Sequence, residues 1–184
     1  MKLQQGTGWI DGARKVESPN FDERPDDCHP ELIVIHGISL PPGQYGGPWI
    51  DQLFTNQLDP GEHEFFAEIE GLKVSTHLLI RRDGELVQYV DLFKRAWHAG
   101  QSCHGEREAC NDFSVGIELE GTDEEPYTNE QYSMLIDTLK LLKASCPGLT
   151  NAEVVGHSDI APGRKTDPGP AFDWERVHRS VDDT

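Results

Sequence analysis

Apolar positions along this chain follow two periods. Leu32-Ile33-Val34-Ile35 is an unbroken aliphatic run rich in β-branched residues, which predicts a strand covered on both faces and ending at His36-Gly37. Leu78-Leu79-Ile80 and Leu86-Val87-Gln88-Tyr89-Val90 flank Arg82-Asp83-Gly84-Glu85, and the Asp-Gly pair predicts a tight hairpin. Residues 113–120 alternate strictly. Phe113, Val115, Ile117 and Leu119 face one way, and Ser114, Gly116, Glu118 and Glu120 the other. That pattern predicts a half-exposed strand with both carboxylates on its open side.

Helical spacing takes over at Tyr132, Leu135, Ile136, Leu139 and Leu142. Thr128 and Gln131 form a capping-box pattern before it and Pro147-Gly148 stops it, so a helix is predicted over 128–145. Shorter helices are expected at 49–54 and 173–179, and a short strand at Val154-Val155. Residues 1–30, polar and broken by Pro19, Pro25 and Pro30, read as an irregular leader packed on the body. The expected fold class is α/β (α+β): residues 1–184 as a single domain, with a central mixed β-sheet flanked by helices.

Composition narrows the function. The net charge of −17, from 33 acidic against 16 basic residues, argues against nucleic acid and against an anionic membrane surface. An anionic substrate would have to be held by local cations. No apolar run approaches the roughly 20 residues of a membrane helix. The first residues carry no apolar segment of an export signal, so a cytoplasmic location is expected. Cys28, Cys103, Cys110 and Cys146 contain no CxxC pair and are expected as reduced thiols. A monomer is expected.

The candidate chemistry lies in Gly156-His157-Ser158-Asp159-Ile160-Ala161-Pro162-Gly163-Arg164-Lys165-Thr166-Asp167-Pro168-Gly169-Pro170. Its glycines and prolines argue against helix or strand and for a rigid loop that presents an imidazole, a cation and a carboxylate. With His36 at its strand end, His157 and Asp167 make a three-ligand set that leaves a fourth position on zinc open. Asp159 competes as a ligand but reads better as a cap of the following turn. Alternation cannot choose between Glu118 and Glu120, and Lys165 alone reads as a surface lysine. His77 and His98 read equally as packed histidines or as groove residues, and Trp97 as core. His104 between Cys103 and Cys110 lacks a fourth partner for a second metal. No Gly-x-Ser-x-Gly elbow occurs, Ser114 has no obvious base, and Cys103 beside His104 is a weak thiol–imidazole adjacency.

Five stretches carry a family resemblance: VIHGISLPPGQYGG, STHLLIRRDGELVQYV, RAWHAG, CNDFSVGIELEGTD and GHSDIAPGRKTDPGPAFDW. They resemble the zinc N-acetylmuramoyl-L-alanine amidases of type 2, most closely the cytosolic AmpD branch, a family that includes peptidoglycan recognition proteins. The resemblance implies a zinc (Zn2+) held by His36, His157 and Asp167. It selects Glu118 over Glu120 as the catalytic carboxylate and makes Lys165 its cationic partner. His77 and His98 would line the substrate groove. The implied reaction is hydrolysis of the amide between 1,6-anhydro-N-acetylmuramic acid and L-alanine in a small muropeptide. It serves peptidoglycan recycling and indirectly lowers β-lactamase induction. A wall-lytic amidase and a non-catalytic peptidoglycan-binding module are the rival readings. Gly37 stands where several relatives have asparagine, and Lys73 and Ala109 where some have arginines. Arg107 is the expected substitute for a carboxylate contact.

Overall fold

A computed structural model describes residues 1–182 of the chain. In chain order the strands are β1 (Lys2–Leu3), β2 (Ile10–Asp11), β3 (Arg14–Lys15), β4 (Phe21–Asp22), β5 (Leu32–Ile38), β6 (Leu78–Ile80), β7 (Leu86–Gln88), β8 (Arg95–Ala96), β9 (Cys103–His104), β10 (Arg107–Glu108), β11 (Ser114–Glu120) and β12 (Glu153–Gly156). The helices are α1 (Trp49–Phe54), α2 (Glu64–Glu68), α3 (Asn129–Ser145), α4 (His157–Ile160) and α5 (Trp174–Asp182). Six strands form a mixed sheet in the order β12-β5-β11-β6-β7-β3. β12, β5, β11 and β6 run parallel, and β7 returns antiparallel to β6. The expected fold class is the observed one.

Strand parity sorts the side chains into two layers. Ile33, Ile35, Val115, Ile117 and Leu119 pack against Leu135, Leu139 and Leu142 of α3. On the opposite face Leu32 and Val34 meet Phe113 and Ile160, while α1 and α2 cover Leu79 and Val87. His36 shares the parity of Leu32 and Val34, so it points away from α3. Glu118 lies directly opposite His36 in the parallel register, and Gly156 opposite Ile35. Three chain segments therefore reach the same end of the sheet together.

The capping box expected for α3 is present. Thr128 Oγ1 accepts from the Gln131 N–H at 3.1 Å, and Gln131 Oε1 accepts from the Thr128 N–H at 3.0 Å. Gln131 Nε2 also donates to the carbonyls of Ile80 and Glu120, at 3.2 and 2.9 Å, which ties the helix start to the ends of β6 and β11.

Several expectations differ from the structure. β11 is buried along its whole length, because β5 and β6 flank it and layers cover both faces. Its alternation separates an aliphatic face from a polar interior face, not core from solvent. The leader is not irregular: it contains four two-residue strands, and β3 extends the sheet beyond β7. Arg24 anchors it by donating to the carbonyls of Leu92, Asn111, Asp112 and Ser114. Burial draws that guanidinium down to about 10, so it remains a cation at neutral pH. In the hairpin only Gly84 has positive φ, at 85°. Asp83 instead accepts from the Glu85 N–H at 3.0 Å, so the connection is longer than a two-residue turn. Finally, residues 157–160 form one helical turn rather than loop. Asp159 accepts from the Gly156 N–H at 2.7 Å, so it caps the start of this turn rather than the turn expected after it.

Candidate active site

In a sheet with parallel strands, functional groups gather where the strands' carboxyl ends splay. Here β5 presents His36, β11 presents Glu118, and the turn that follows β12 presents His157. Asp167 returns to them because its own carbonyl accepts from the Ser158 N–H at 3.0 Å. Lys165 and Arg164 are held on the same loop by N–H bonds to the Ala161 carbonyl, at 3.0 and 3.1 Å.

Three ligand-type atoms converge. His36 Nδ1 and His157 Nδ1 are 2.9 Å apart, and Asp167 Oδ2 lies 3.0 Å from the second and 3.3 Å from the first. Tetrahedral ligands at 2.0–2.2 Å from zinc are separated by about 3.3 Å, so the triangle has the right size for such an ion. Its chemistry fits too. His157 Nε2 faces the Ala99 carbonyl at 3.1 Å, and a carbonyl only accepts, so that nitrogen carries the proton and Nδ1 is left with its lone pair. Burial lowers the His36 imidazole to about 4, which keeps it neutral at pH 7. Two imidazoles and a carboxylate turned toward one point are a candidate metal site, and His36, His157 and Asp167 fit a cation there.

Glu118 stands beside this triangle with 8% of its surface exposed. Its Oε2 finds no hydrogen-bond partner among the described residues, an uncommon state for a buried carboxylate. Burial, then the Asp167 charge, push its carboxyl well above the usual range, and Lys165 opposes them. An elevated, unpaired carboxylate is suited to exchanging a proton with a reacting group. Lys165 is exposed and lines the same groove, a cavity of about 670 Å³. The triangle, Glu118 and Lys165 line it together with apolar Leu53, Phe65, Ile69 and Val74.

The other predicted residues divide. His98 lines the groove and lies 2.9 Å from His36 Nε2 through its Nδ1. His77 does not: it is fully buried, its Nδ1 accepting from the Gly116 N–H at 3.0 Å and its Nε2 facing the Lys94 carbonyl at 3.0 Å. Arg107 also lies away from the groove, paired with Glu31 at 2.8 Å and stacked over Phe113. Glu120 is buried rather than solvated, clamping the Gly46 and Arg82 N–H groups at 2.7 and 3.2 Å. Ser114 is fully buried and Trp97 half-buried. His104 pairs with Glu153 at 2.8 Å, and all four cysteines are free thiols.

Sequence reasoning missed Tyr127. Its hydroxyl donates to the Pro168 carbonyl at 3.0 Å and occupies the space a side chain at Gly37 would need, 2.5 Å from where a Cβ would stand. Nothing local in the sequence links those positions. Gly37→Ala is expected to displace this hydroxyl and cost about 1–3 kcal/mol in urea denaturation. Tyr127→Phe in the same chain should return part of that loss, a coupling that a double-mutant cycle measures.

Comparison with known proteins decides the family. The sequence model of the N-acetylmuramoyl-L-alanine amidases matches residues 26–170. The chain belongs to this family. This amidase is 61% identical to the 1,6-anhydro-N-acetylmuramyl-L-alanine amidase AmpD of Salmonella typhimurium SL1344, over 95% of this chain and 92% of the relative. The crystal structure of a selenomethionine AmpD derivative superposes with a TM-score of 0.94 at 56% identity, covering 98% of this chain and 99% of that one. AmpDh3 of Pseudomonas aeruginosa, solved in complex with an anhydromuramic pentapeptide, is 27% identical with a TM-score of 0.60, over 82% of this chain and 59% of that one.

Proposed function

We propose that this amidase, acting as a single monomeric domain in the cytoplasm, uses zinc to release the peptide from 1,6-anhydro-N-acetylmuramyl-L-alanine muropeptides during peptidoglycan recycling. The observation that carries the reading is the triangle of His36 Nδ1, His157 Nδ1 and Asp167 Oδ2 beside the unpaired Glu118 carboxylate. The names of the near-full-length relatives support the substrate class. A cytoplasmic setting agrees with the helices, none of which is long and apolar enough to cross a membrane among the described residues. Removal of such muropeptides would also lower β-lactamase induction in a host with that circuit.

In this reading His36, His157 and Asp167 hold the ion. When bound, zinc supplies a Lewis acid that polarises the amide carbonyl and acidifies water. Glu118 takes the proton of the attacking water on its free Oε2 and returns it to the departing amide nitrogen. The Lys165 ammonium stabilises the negative charge that develops on the carbonyl oxygen. The apolar residues lining the groove exclude water around the reacting amide, which strengthens both effects. Lys165→Ala is expected to lower turnover by about 10²-fold or more with metal content unchanged. Loss of zinc from that variant would reassign the lysine to holding the site.

Elemental analysis of the purified chain, with mass spectrometry of products from soluble anhydro-muropeptide and from intact sacculi, tests the whole reading. Stoichiometric zinc and preference for the soluble substrate support it. Faster release from sacculi would make the enzyme wall-lytic, and absence of hydrolysis on both would leave a binding module.

A further inference from the structure

Behind the candidate ligands lies a hydrogen-bond chain that the reaction itself does not use. It begins at the Cys110 carbonyl, which lies 2.6 Å from Ser114 Oγ. A carbonyl cannot donate, so the single hydroxyl proton of Ser114 points at it. Ser114 Oγ is also 3.1 Å from His98 Nε2. With its proton already committed, the hydroxyl accepts there, and His98 must carry its proton on Nε2. Its other nitrogen, Nδ1, is then a bare acceptor, 2.9 Å from His36 Nε2. His36 donates to it and is left with an unprotonated Nδ1, the atom that faces His157 and Asp167.

The neighbouring residue does the same for the second imidazole. The Ala99 carbonyl accepts from His157 Nε2 at 3.1 Å, and Arg164 Nη2 adds a second donor to it at 2.6 Å. The dipeptide 98–99 is itself clamped: Asn111 Oδ1 accepts from the N–H groups of both His98 and Ala99, at 3.1 and 2.8 Å. The His98 ring packs over Gly116 of β11 because that residue has no side chain; a Cβ there would stand 2.5 Å from His98 Cγ.

We infer that the dipeptide His98–Ala99, clamped by Asn111 and oriented by Ser114, sets the tautomer of both candidate ligand imidazoles and so preloads the site for a divalent cation. His98 is therefore a positioning residue, acting through His36. A ring proton on His36 Nδ1 would point into the site and compete with the ion. With the chain intact, that proton is held on the far nitrogen before any metal arrives. Outer partners of ligand histidines are typically worth about 10–100-fold in metal affinity.

The inference rests on the zinc reading, and the test separates the two. Metal-free wild-type protein, His98→Leu, His98→Asn and Ser114→Ala are titrated with zinc against a chromophoric chelator, and imidazole 15N shifts give the tautomers. In the wild type both His36 and His98 are expected to carry their protons on Nε2. His98→Leu removes the acceptor and should weaken zinc binding by about 10–100-fold. His98→Asn places an oxygen near the former Nδ1 and should recover most of that loss. Ser114→Ala frees the His98 ring to turn its proton toward His36 and should weaken zinc in the same direction. Equal zinc affinity in all four proteins, or a wild-type His36 protonated on Nδ1, would overturn the inference while leaving the zinc reading intact. A wild-type chain that takes up no zinc would overturn both.

Discussion

Glu118→Gln is expected to lower amide hydrolysis by about 10²–10⁴-fold while zinc content stays at the wild-type level. Glutamine matches the carboxylate in shape but neither takes nor returns a proton at neutral pH, and Glu118 touches none of the candidate ligands through a hydrogen bond. Rate measurements with elemental analysis separate this from loss of the ion. The substitution should also change the pH dependence of stability in the metal-free protein. Burial and the Asp167 charge hold the Glu118 carboxyl well above its unfolded value, so the fold favours the neutral form. Raising the pH above the unfolded value then costs stability, progressively, until the folded group ionises. Glu118→Gln removes this cost. Metal-free variant and wild type should unfold at similar urea concentrations near pH 4, and the variant should be the more stable near pH 7. A variant less stable than wild type at pH 7 would mean that Glu118 is held by a favourable contact as an anion.

Asp167→Asn is expected to abolish zinc retention, a loss well beyond the roughly 10–100-fold typical of an outer partner. The carboxylate supplies the one negative charge among the three atoms, and its oxygen faces two imidazole nitrogens at 3.0 and 3.3 Å. An amide reverses the local chemistry. Its NH2 group can donate to those nitrogens, so the cluster is satisfied by hydrogen bonds and the ion is no longer required. The metal-free variant should therefore be as stable as the metal-free wild type, or more so. Chelator competition and urea denaturation, run on the same preparations, check both halves. Zinc bound as tightly as in the wild type would exclude Asp167 as a ligand.

Much of this was legible in residue order. The capping box of α3 and the aliphatic run of β5 each carry a local signal and are found where the pattern puts them, although β5 runs on past His36 to Ile38 and the Gly/Pro-rich segment opens with a helical turn at His157. What stayed hidden depends on neighbours remote in sequence. Alternation in β11 shows that two faces differ, but not that the polar face is turned to buried histidines rather than water. Glu120 looked solvated because its partners, Gly46 and Arg82, come from other segments. His77 and His98 carry equivalent local signals. Only packing shows that backbone groups satisfy the first while the second reaches His36. Arg107, the expected substitute for a carboxylate contact, is held elsewhere by Glu31 and Phe113.

The parallel register sets an order of events. His36 and His157 meet only once β12 has docked against β5, a pairing between distant parts of the chain. Such non-local parallel pairings are slow to form. A site whose candidate ligands are brought together by sheet pairing differs from the small modules that fold around their ion. On the proposed zinc reading, loading would follow folding, and scarcity of zinc during synthesis would leave a folded, idle reserve of enzyme that later supply switches on.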